Sequence, residues 1–117
     1  MTVKPIVLIV EDEADSRETL RELLELEGYR VETAVNGKEA LDRISAIGDE
    51  NCVVLLDLFM PVLDGWQVIE QLRTEGRLSK TKVLITTSAR HKAPSGIPVL
   101  EKPLDFDKML RAVESFA

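Results

Sequence analysis

Several polar residues of this sequence directly follow short apolar runs, at points where buried strands would end. Glu11 and Asp12 follow the first such run, and Asp57 follows another. Thr87 and Lys102 follow two shorter apolar segments further along the chain. Three neighbouring carboxylates raise one another's pKa values unless a hard cation such as Mg²⁺ binds their oxygens. Such a metal and a carboxylate nucleophile, together with a hydroxyl and an ammonium group, suit phosphoryl transfer.

Asp57 is the expected acceptor in this chemistry. It stands alone at the end of its strand, whereas Glu11 and Asp12 share one strand end and are better placed to hold a metal ion. Lys102 adds a compensating positive charge. Considered singly, each of these residues is more often a solvated charge, a turn former or a strand former. Their coincidence at successive strand ends favours the chemical interpretation.

The elements that must position these residues are strands alternating with helices. Residues 6–10 and 52–56 are continuous apolar runs, which is typical of strands buried on both faces of a parallel sheet. Residues 83–86 and 99–100 predict two more strands, and the alternation over residues 29–33 predicts an edge strand. Right-handed crossovers predict a doubly wound α/β fold, (βα)5, with a five-stranded parallel sheet. In the flavodoxin-like strand order 2-1-3-4-5, the first and third strands are neighbours, which brings the three carboxylates together.

Capping residues mark the ends of the intervening helices. Asp15 and Glu18 have the spacing of a capping box, which predicts that Asp15 is the N-cap of the first helix and that Gly28 ends it. Asn36 precedes the second helix, and Asp105 caps the last. Apolar residues at helical spacing give these helices one buried face each.

The composition narrows the class of protein. The 117 residues are 44% hydrophobic and 31% charged, which fits one globular domain with a real core rather than a disordered chain. A net charge of −6 disfavours binding to nucleic acid. No segment approaches the ~20 apolar residues of a membrane span, so we expect a cytoplasmic protein that does not contact the membrane. The single cysteine, Cys52, is expected to be a buried structural thiol.

Four sequence motifs resemble the marks of the response-regulator receiver domain of bacterial two-component signalling. They are LIVEDE at residues 8–13, LLDLFMP at 55–61, DG at 64–65 and KP at 102–103. The resemblance covers nearly the whole chain, and the order and spacing of the motifs make it specific. It implies that residues 1–117 form one CheY-like receiver (response regulatory) domain.

The resemblance also implies roles for individual residues. Mg²⁺ would be held by four of them: Asp12, Asp57, the backbone carbonyl of Phe59, and Glu11 acting through water. Thr87 corresponds to the family's switch hydroxyl, and Lys102 to the lysine that contacts the phosphoryl group. Ser88 is an alternative to Thr87, because a one-residue shift in strand register would exchange them. The Lys102-Pro103 bond corresponds to the family's cis peptide.

By the same resemblance, the chain accepts a phosphoryl group on Asp57 from a sensor histidine kinase or a histidine phosphotransferase. Phosphorylation then changes its affinity for an unidentified downstream protein. Such a domain is a signalling switch rather than an enzyme, although it assists its own phosphorylation and dephosphorylation. The chain ends just after its last predicted helix, so we expect either a stand-alone regulator or one part of a longer protein.

Three departures from the family pattern affect the output and lifetime of the switch. Residues 88–98 form the whole link between the fourth and fifth strands and contain two prolines, so we expect the usual fourth helix to be shortened or absent. Val99 replaces the aromatic residue that many receivers carry three positions before the lysine, which argues against a moving-ring switch. Phe59 and Ala89 stand where the family often has polar residues that affect the attacking water, so we predict slow loss of phosphate from Asp57.

Two other functional classes fit parts of the pattern. A phosphohydrolase of the haloacid-dehalogenase type also uses an aspartate after a buried strand, a lysine and Mg²⁺. That class usually has a second aspartate two residues on, where this chain has Phe59. A degenerate receiver that binds partners without phosphorylation is the other alternative. The intact residues of the site argue against it: Asp12, Asp57, Thr87 and Lys102.

Overall fold

The fold is built on a parallel sheet, which the computed structural model describes within residues 4–116. Residues 1–3 and 117, the two ends of the predicted domain, lie outside the described part. The five strands lie in the order β2-β1-β3-β4-β5, which confirms the flavodoxin-like order and the edge position of β2. The strands are β1 (Ile6–Val10), β2 (Val31–Ala34), β3 (Cys52–Asp57), β4 (Lys82–Thr87) and β5 (Val99–Glu101).

Four α-helices cover the two faces of the sheet. They are α1 (Ala14–Leu26), α2 (Gly37–Ile47), α3 (Gly65–Thr74) and α4 (Phe106–Glu114). Helices α2 and α3 lie on one face, where Leu56 and Leu72 belong to the same core. Helices α1 and α4 lie on the other face, where Leu24, Leu55 and Met109 form a second core. The protein is therefore a three-layer α/β sandwich.

Successive residues of the central strands alternate between these two cores. In β3, Val54 and Leu56 belong to one core, while Val53 and Leu55 belong to the other. Because both faces of the strand are covered, its sequence is continuously apolar. A polar residue can occur where the strand ends and emerges from the core. Asp57, the last residue of β3, lies at this point. The packing of the sheet thus explains why polar groups gather at its carboxyl edge.

The capping residue of the first helix differs from the prediction. Glu13, not Asp15, is the N-cap of α1, and its carboxylate accepts hydrogen bonds from the amides of Asp15 and Ser16. Both acids suit a helix start, but Glu13 has the extended backbone of an N-cap (φ −81°, ψ 118°), whereas Asp15 lies in the first turn. The predicted capping box at Asp15 is therefore wrong.

The other predicted helix ends are confirmed. Gly28 has a φ of +89° just after α1, and its amide donates to the carbonyl of Glu25 while the next amide donates to Leu24, which is a Schellman ending. The side chains of Asn36 and Asp105 cap α2 and α4. These short-range signals therefore predicted the local structure well.

The crossover between β4 and β5 has no α-helix. Its regular structure is one 3₁₀ turn, Arg90–Lys92, as expected from its prolines. Ala93 and Ile97 pack onto the core where a fourth helix would lie. The fold is thus a (βα)5 chain whose fourth helical element is reduced to a turn.

Two further features are the lengths of the helices and the environment of the single cysteine. Within residues 4–116, no helix combines the length and the apolar character needed to cross a bilayer. Cys52 is half-buried rather than fully buried, and burial raises the pKa of its thiol to about 11. A thiol with so high a pKa is protonated at neutral pH, in keeping with a structural role.

Candidate functional site

The register of the sheet brings the predicted carboxylates side by side. Val10 of β1 pairs with Leu56 of β3, so the residues that follow them, Glu11 and Asp57, are neighbours. The amide of Glu11 also bonds the carbonyl of Ala34, which continues the sheet as far as this residue. The two side chains therefore stand at the carboxyl edge of the central strands.

Glu11, Asp12 and Asp57 form one acidic cluster. A carboxylate oxygen from each lies within 4.8 Å of those of the other two. Glu11 and Asp57 are buried, whereas Asp12 is exposed. A partly open set of oxygen donors suits Mg²⁺, which keeps several of its waters and takes only a few protein carboxylates. The convergence expected from the sequence is present, and the donor set fits this metal.

Lys102 supplies the positive charge of the site. Its Nζ atom lies 2.8 Å from Oε1 of Glu11 and 3.3 Å from Oδ2 of Asp57. Burial by itself lowers the pKa of Lys102, but the two carboxylates outweigh burial and raise it. The lysine therefore stays charged and ties β5 to the ends of β1 and β3.

The pKa of Asp57 is raised to about 6. Burial is the main cause, Lys102 opposes it, and the neighbouring charge of Glu11 adds to it. For Glu11, burial also acts to raise the pKa, but the hydrogen bonds from Lys102 and from the amide of Glu13 bring it below its usual value. The single ammonium group of Lys102 does not balance the negative charge of three carboxylates. A divalent cation bound among them would neutralise the remainder.

The hydroxyl candidates lie at the end of β4. Thr87 is fully buried, and its Oγ1 accepts a hydrogen bond from the amide of Ala89 at 3.0 Å. Ser88 is exposed, which favours Thr87, although the choice of switch hydroxyl stays a prediction. Thr86, which sequence reasoning passed over, is buried and pairs directly with Asp57 across the sheet.

The loop after β3 carries the remaining predicted ligand, Phe59. Its amide donates to Oδ1 of Asp57 at 3.2 Å, and the residue is 45% exposed. The ring packs edge-on against Trp66, with 5.1 Å between the ring centroids. The indole of Trp66 in turn donates to the carbonyl of Lys92 at 3.0 Å. This chain of contacts joins the loop between β3 and α3 to the 3₁₀ turn that stands in place of the fourth helix.

Gly65 is a positioning feature that the sequence argument did not explain. A Cβ atom at Gly65 would lie 2.7 Å from the carbonyl oxygen of Asp57 and 2.7 Å from Cα of Leu58. The amide of Gly65 donates to the carbonyl of Leu58 at 2.9 Å. The Asp64-Gly65 motif is visible in the sequence, and its physical reason is that α3 begins in direct contact with the backbone of Asp57 and Leu58.

Arg17 is a second residue near the site that sequence reasoning missed. Its guanidinium group donates to the carbonyls of Glu11 and Asp12. A basic residue shortly after an acidic pair is too common a pattern to predict such a contact.

The peptide bond between Lys102 and Pro103 is cis, as the resemblance implied.

Comparison with known proteins now identifies the family. The family model described as the response regulator receiver domain matches residues 7–114. The chain belongs to the response-regulator receiver family. Receiver domains of this family act in two-component signalling with histidine kinases and downstream effectors.

Curated relatives and solved structures agree with this assignment. The response regulator MprA of Mycolicibacterium vanbaalenii is 37% identical over 109 residues, which are 89% of this chain and 46% of that protein. The chain therefore spans about half the length of the curated relatives it matches. The structure of the response regulator TrrA from Thermotoga maritima in complex with Mg²⁺-BeF superimposes with a TM-score of 0.82 at 30% identity, covering 97% of this chain and 99% of that one. The chemotaxis response regulator CheY4 of Vibrio cholerae gives a TM-score of 0.83 at 26% identity, with 98% and 100% covered.

Proposed function

We propose that this receiver is the phosphoacceptor of a two-component phosphorelay and that Asp57 is the acceptor. The observation that carries the proposal is the convergence of Glu11, Asp12 and Asp57 within 4.8 Å, with Lys102 bonded to two of them. The proposal takes residues 1–117 as one receiver domain. An ion pair with a purely structural role would need only one carboxylate for the one ammonium group, whereas this site brings three carboxylates together.

The proposed reaction is attack by an Asp57 carboxylate oxygen on the phosphorus of a phosphohistidine. The new P–O bond forms as the P–N bond breaks, and the imidazole of the donor takes up a proton as it leaves. The donor is a sensor histidine kinase or a histidine phosphotransferase. Lys102, already beside Oδ2 of Asp57, is placed to bind an oxygen of the transferred group.

Mg²⁺ is the cofactor of this proposal. Its ligands would be Asp12, Asp57 and the carbonyl of Phe59, with Glu11 acting through water. When bound, the ion neutralises the charge on the phosphoryl oxygens. The protein's own contribution is to hold Asp57 at a buried strand end and to keep Glu11 in place through Lys102 and the amide of Glu13.

Thr87 is the proposed switch residue. Its hydroxyl now accepts from the amide of Ala89. When the hydroxyl turns to a phosphoryl oxygen, that amide loses its partner, and the segment leading to the 3₁₀ turn at residues 90–92 is free to rearrange. The altered surface would change affinity for a downstream protein. A crystal structure with beryllofluoride bound to Asp57 would test this step, and contact by Ser88 in place of Thr87 would overturn the assignment.

We further propose that the domain works in the cytoplasm and binds its donor and target through protein surfaces alone, without nucleic acid or membrane. The net charge of −6 supports the exclusion of nucleic acid.

Intact mass after incubation with acetyl phosphate and Mg²⁺ tests the proposal. We expect one added phosphoryl group on the native protein, none on Asp57→Ala, and none after chelation of Mg²⁺. Asp42→Ala, which removes an exposed carboxylate on α2, is the matched control and should be phosphorylated normally. No added mass on the native protein would favour a degenerate binding module. Steady turnover of a small phosphate ester would favour a phosphohydrolase.

A further inference from the structure

Arg17 reaches back from α1 to the loop that carries the acidic pair. Its Nη1 atom lies 2.9 Å from the carbonyl oxygen of Glu11 and 3.4 Å from that of Asp12. Helical side chains lean towards the N-terminus of their helix, so a long residue four positions after the N-cap Glu13 is well placed for this contact. Arg17, a half-buried residue, therefore bridges with its guanidinium group the two residues that follow β1.

The two carboxylates of this pair are held in different ways. Glu11 accepts hydrogen bonds from Lys102 and from the amide of Glu13. Within the described residues, no hydrogen bond from the protein holds the exposed carboxylate of Asp12. The direction of the Asp12 side chain therefore depends on its backbone. Arg17 bonds the carbonyls of the two peptide groups that flank the Cα atom of Asp12.

The position of Arg17 in the first turns of α1 is electrostatically unfavourable, so a specific contact must account for an arginine there. A cation near the N-terminus of a helix opposes the helix dipole. A guanidinium group presents several donors in a rigid fork, whereas an ammonium group is a compact point charge, so arginine suits the bridging of two carbonyls better than lysine does. Residues that orient metal ligands commonly change metal affinity by about 10- to 100-fold when removed.

We propose that Arg17 is a positioning residue of the magnesium site. By fixing the backbone of Glu11 and Asp12, it turns the Asp12 carboxylate towards Asp57. This inference rests on the proposed function, because it assumes that the acidic cluster binds Mg²⁺.

The test compares Arg17→Gln and Arg17→Lys with Arg21→Gln. Arg21 lies one turn further along α1 and pairs with Glu18 and Glu25, so its loss removes an equal charge without touching the acidic loop. Isothermal titration calorimetry with Mg²⁺ should show affinity about 10-fold weaker for Arg17→Gln and a smaller loss for Arg17→Lys. Arg21→Gln should bind as the native protein does.

A second readout separates positioning from a general structural role. At saturating Mg²⁺, phosphorylation by acetyl phosphate should reach nearly the native rate in Arg17→Gln, while the Mg²⁺ concentration that gives half the maximal rate rises about 10-fold, in line with the affinity loss. Equal Mg²⁺ affinity in Arg17→Gln and Arg21→Gln would overturn the inference, with the native protein still binding metal and accepting phosphate. If the native protein did neither, the proposed function would fail and this inference with it.

Discussion

Asp57 is surrounded by groups with opposing effects on its charge. Burial and the neighbouring carboxylate of Glu11 favour the protonated form, while Lys102 favours the ionised form, and the pKa of Asp57 is raised to about 6. A protonated carboxyl is a poor nucleophile and a poor metal ligand. At the scale of this residue, the proposed phosphorylation should therefore require a pH above about 6 and should gain from any cation that enters.

We expect Asp57→Asn to stabilise the metal-free protein at neutral pH. The folded pKa of about 6 lies above the ordinary value of 3.8, so the contribution of Asp57 to folding is fully present below pH 3.8 and is lost as the pH rises through 6. In the presence of a chelator at neutral pH, urea unfolding should show the variant to be more stable by on the order of 2 kcal/mol.

The same comparison has two controls. Saturating Mg²⁺ should stabilise the native protein and not the variant, which would reverse their ranking. Asp42→Asn, at an exposed position of α2, should leave the pH dependence unchanged. Identical pH profiles for the native protein and Asp57→Asn in chelator would contradict the account of the raised pKa.

Phe59→Asn should speed the loss of phosphate from Asp57. Phe59 lies two residues after the acceptor and offers an apolar ring, which cannot orient an attacking water, whereas an amide at this position can. We expect the native aspartyl phosphate to last much longer than seconds and the variant to lose it about 10-fold faster, followed by intact mass after removal of the phosphodonor.

Phe59→Leu is the matched control for that experiment, because it keeps an apolar side chain and should hold its phosphate as the native protein does. A half-life of only seconds in the native protein would show that Phe59 and Ala89 do not restrict the attacking water.

At the scale of the elements, the loop between β3 and α3 holds its backbone strain at Val62. This residue has a φ of +68° and is 75% exposed, and the amide of Leu63 bonds the carbonyl of Pro61 across it at 2.7 Å. A β-branched residue is unfavourable in this tight turn. The carbonyl of Leu63 also accepts from the amide of Gly37, so the turn ties the loop between β3 and α3 to the start of α2.

Val62→Gly should therefore raise the free energy of unfolding. Relief of the left-handed conformation outweighs the entropy that glycine adds to the unfolded chain, for a net gain of about 0.5–1 kcal/mol in urea unfolding. Val35→Gly is the control, since Val35 is also partly exposed but has no positive φ, and it should lose stability. A loss of stability in both variants would show that the turn at Val62 is not strained.

Gly65→Ala should damage the acceptor site itself. The added methyl group would meet the backbone of Asp57 and Leu58 at 2.7 Å, so α3 or the end of β3 must move, at a cost of about 2 kcal/mol or more. Phosphorylation by acetyl phosphate should fall together with stability. Gly76→Ala, where a Cβ meets nothing within 4 Å and the Schellman ending of α3 gives a left-handed φ of +69°, should cost about 1 kcal/mol and leave phosphorylation intact. Equal losses in the two variants would argue against close packing at Gly65.

At the scale of the whole molecule, the two-sided cover of the sheet and the polar residues at its carboxyl edge were predictable because they depend on coarse physical features, whereas the order of the strands was taken from the flavodoxin-like fold. Apolar residues on both faces of β1 and β3 require helices on both sides of the sheet. A carboxylate that directly follows such a strand must then stand at its carboxyl edge, as Glu11 and Asp57 do. Proline content likewise predicted the lost helix between β4 and β5.

Contacts that depend on side-chain conformation or on distant residues were not predictable in this way. Asp15 is the better N-cap by residue type, and only the backbone conformation decided in favour of Glu13. The bonds from Arg17 to the acidic loop and from Trp66 to Lys92 depend on how particular side chains extend, and the second joins residues 26 positions apart. No sequence period carries that information.

The edge-on contact between Phe59 and Trp66 gives the protein an intrinsic fluorescent probe beside Asp57. Trp66 is the only tryptophan in the chain, so its fluorescence comes from one place, next to the loop that carries Asp57. Its indole is also bonded to the turn at Lys92. Its fluorescence should therefore follow, in real time and without a label, structural changes in the loop between β3 and α3 and in the turn at residues 90–92.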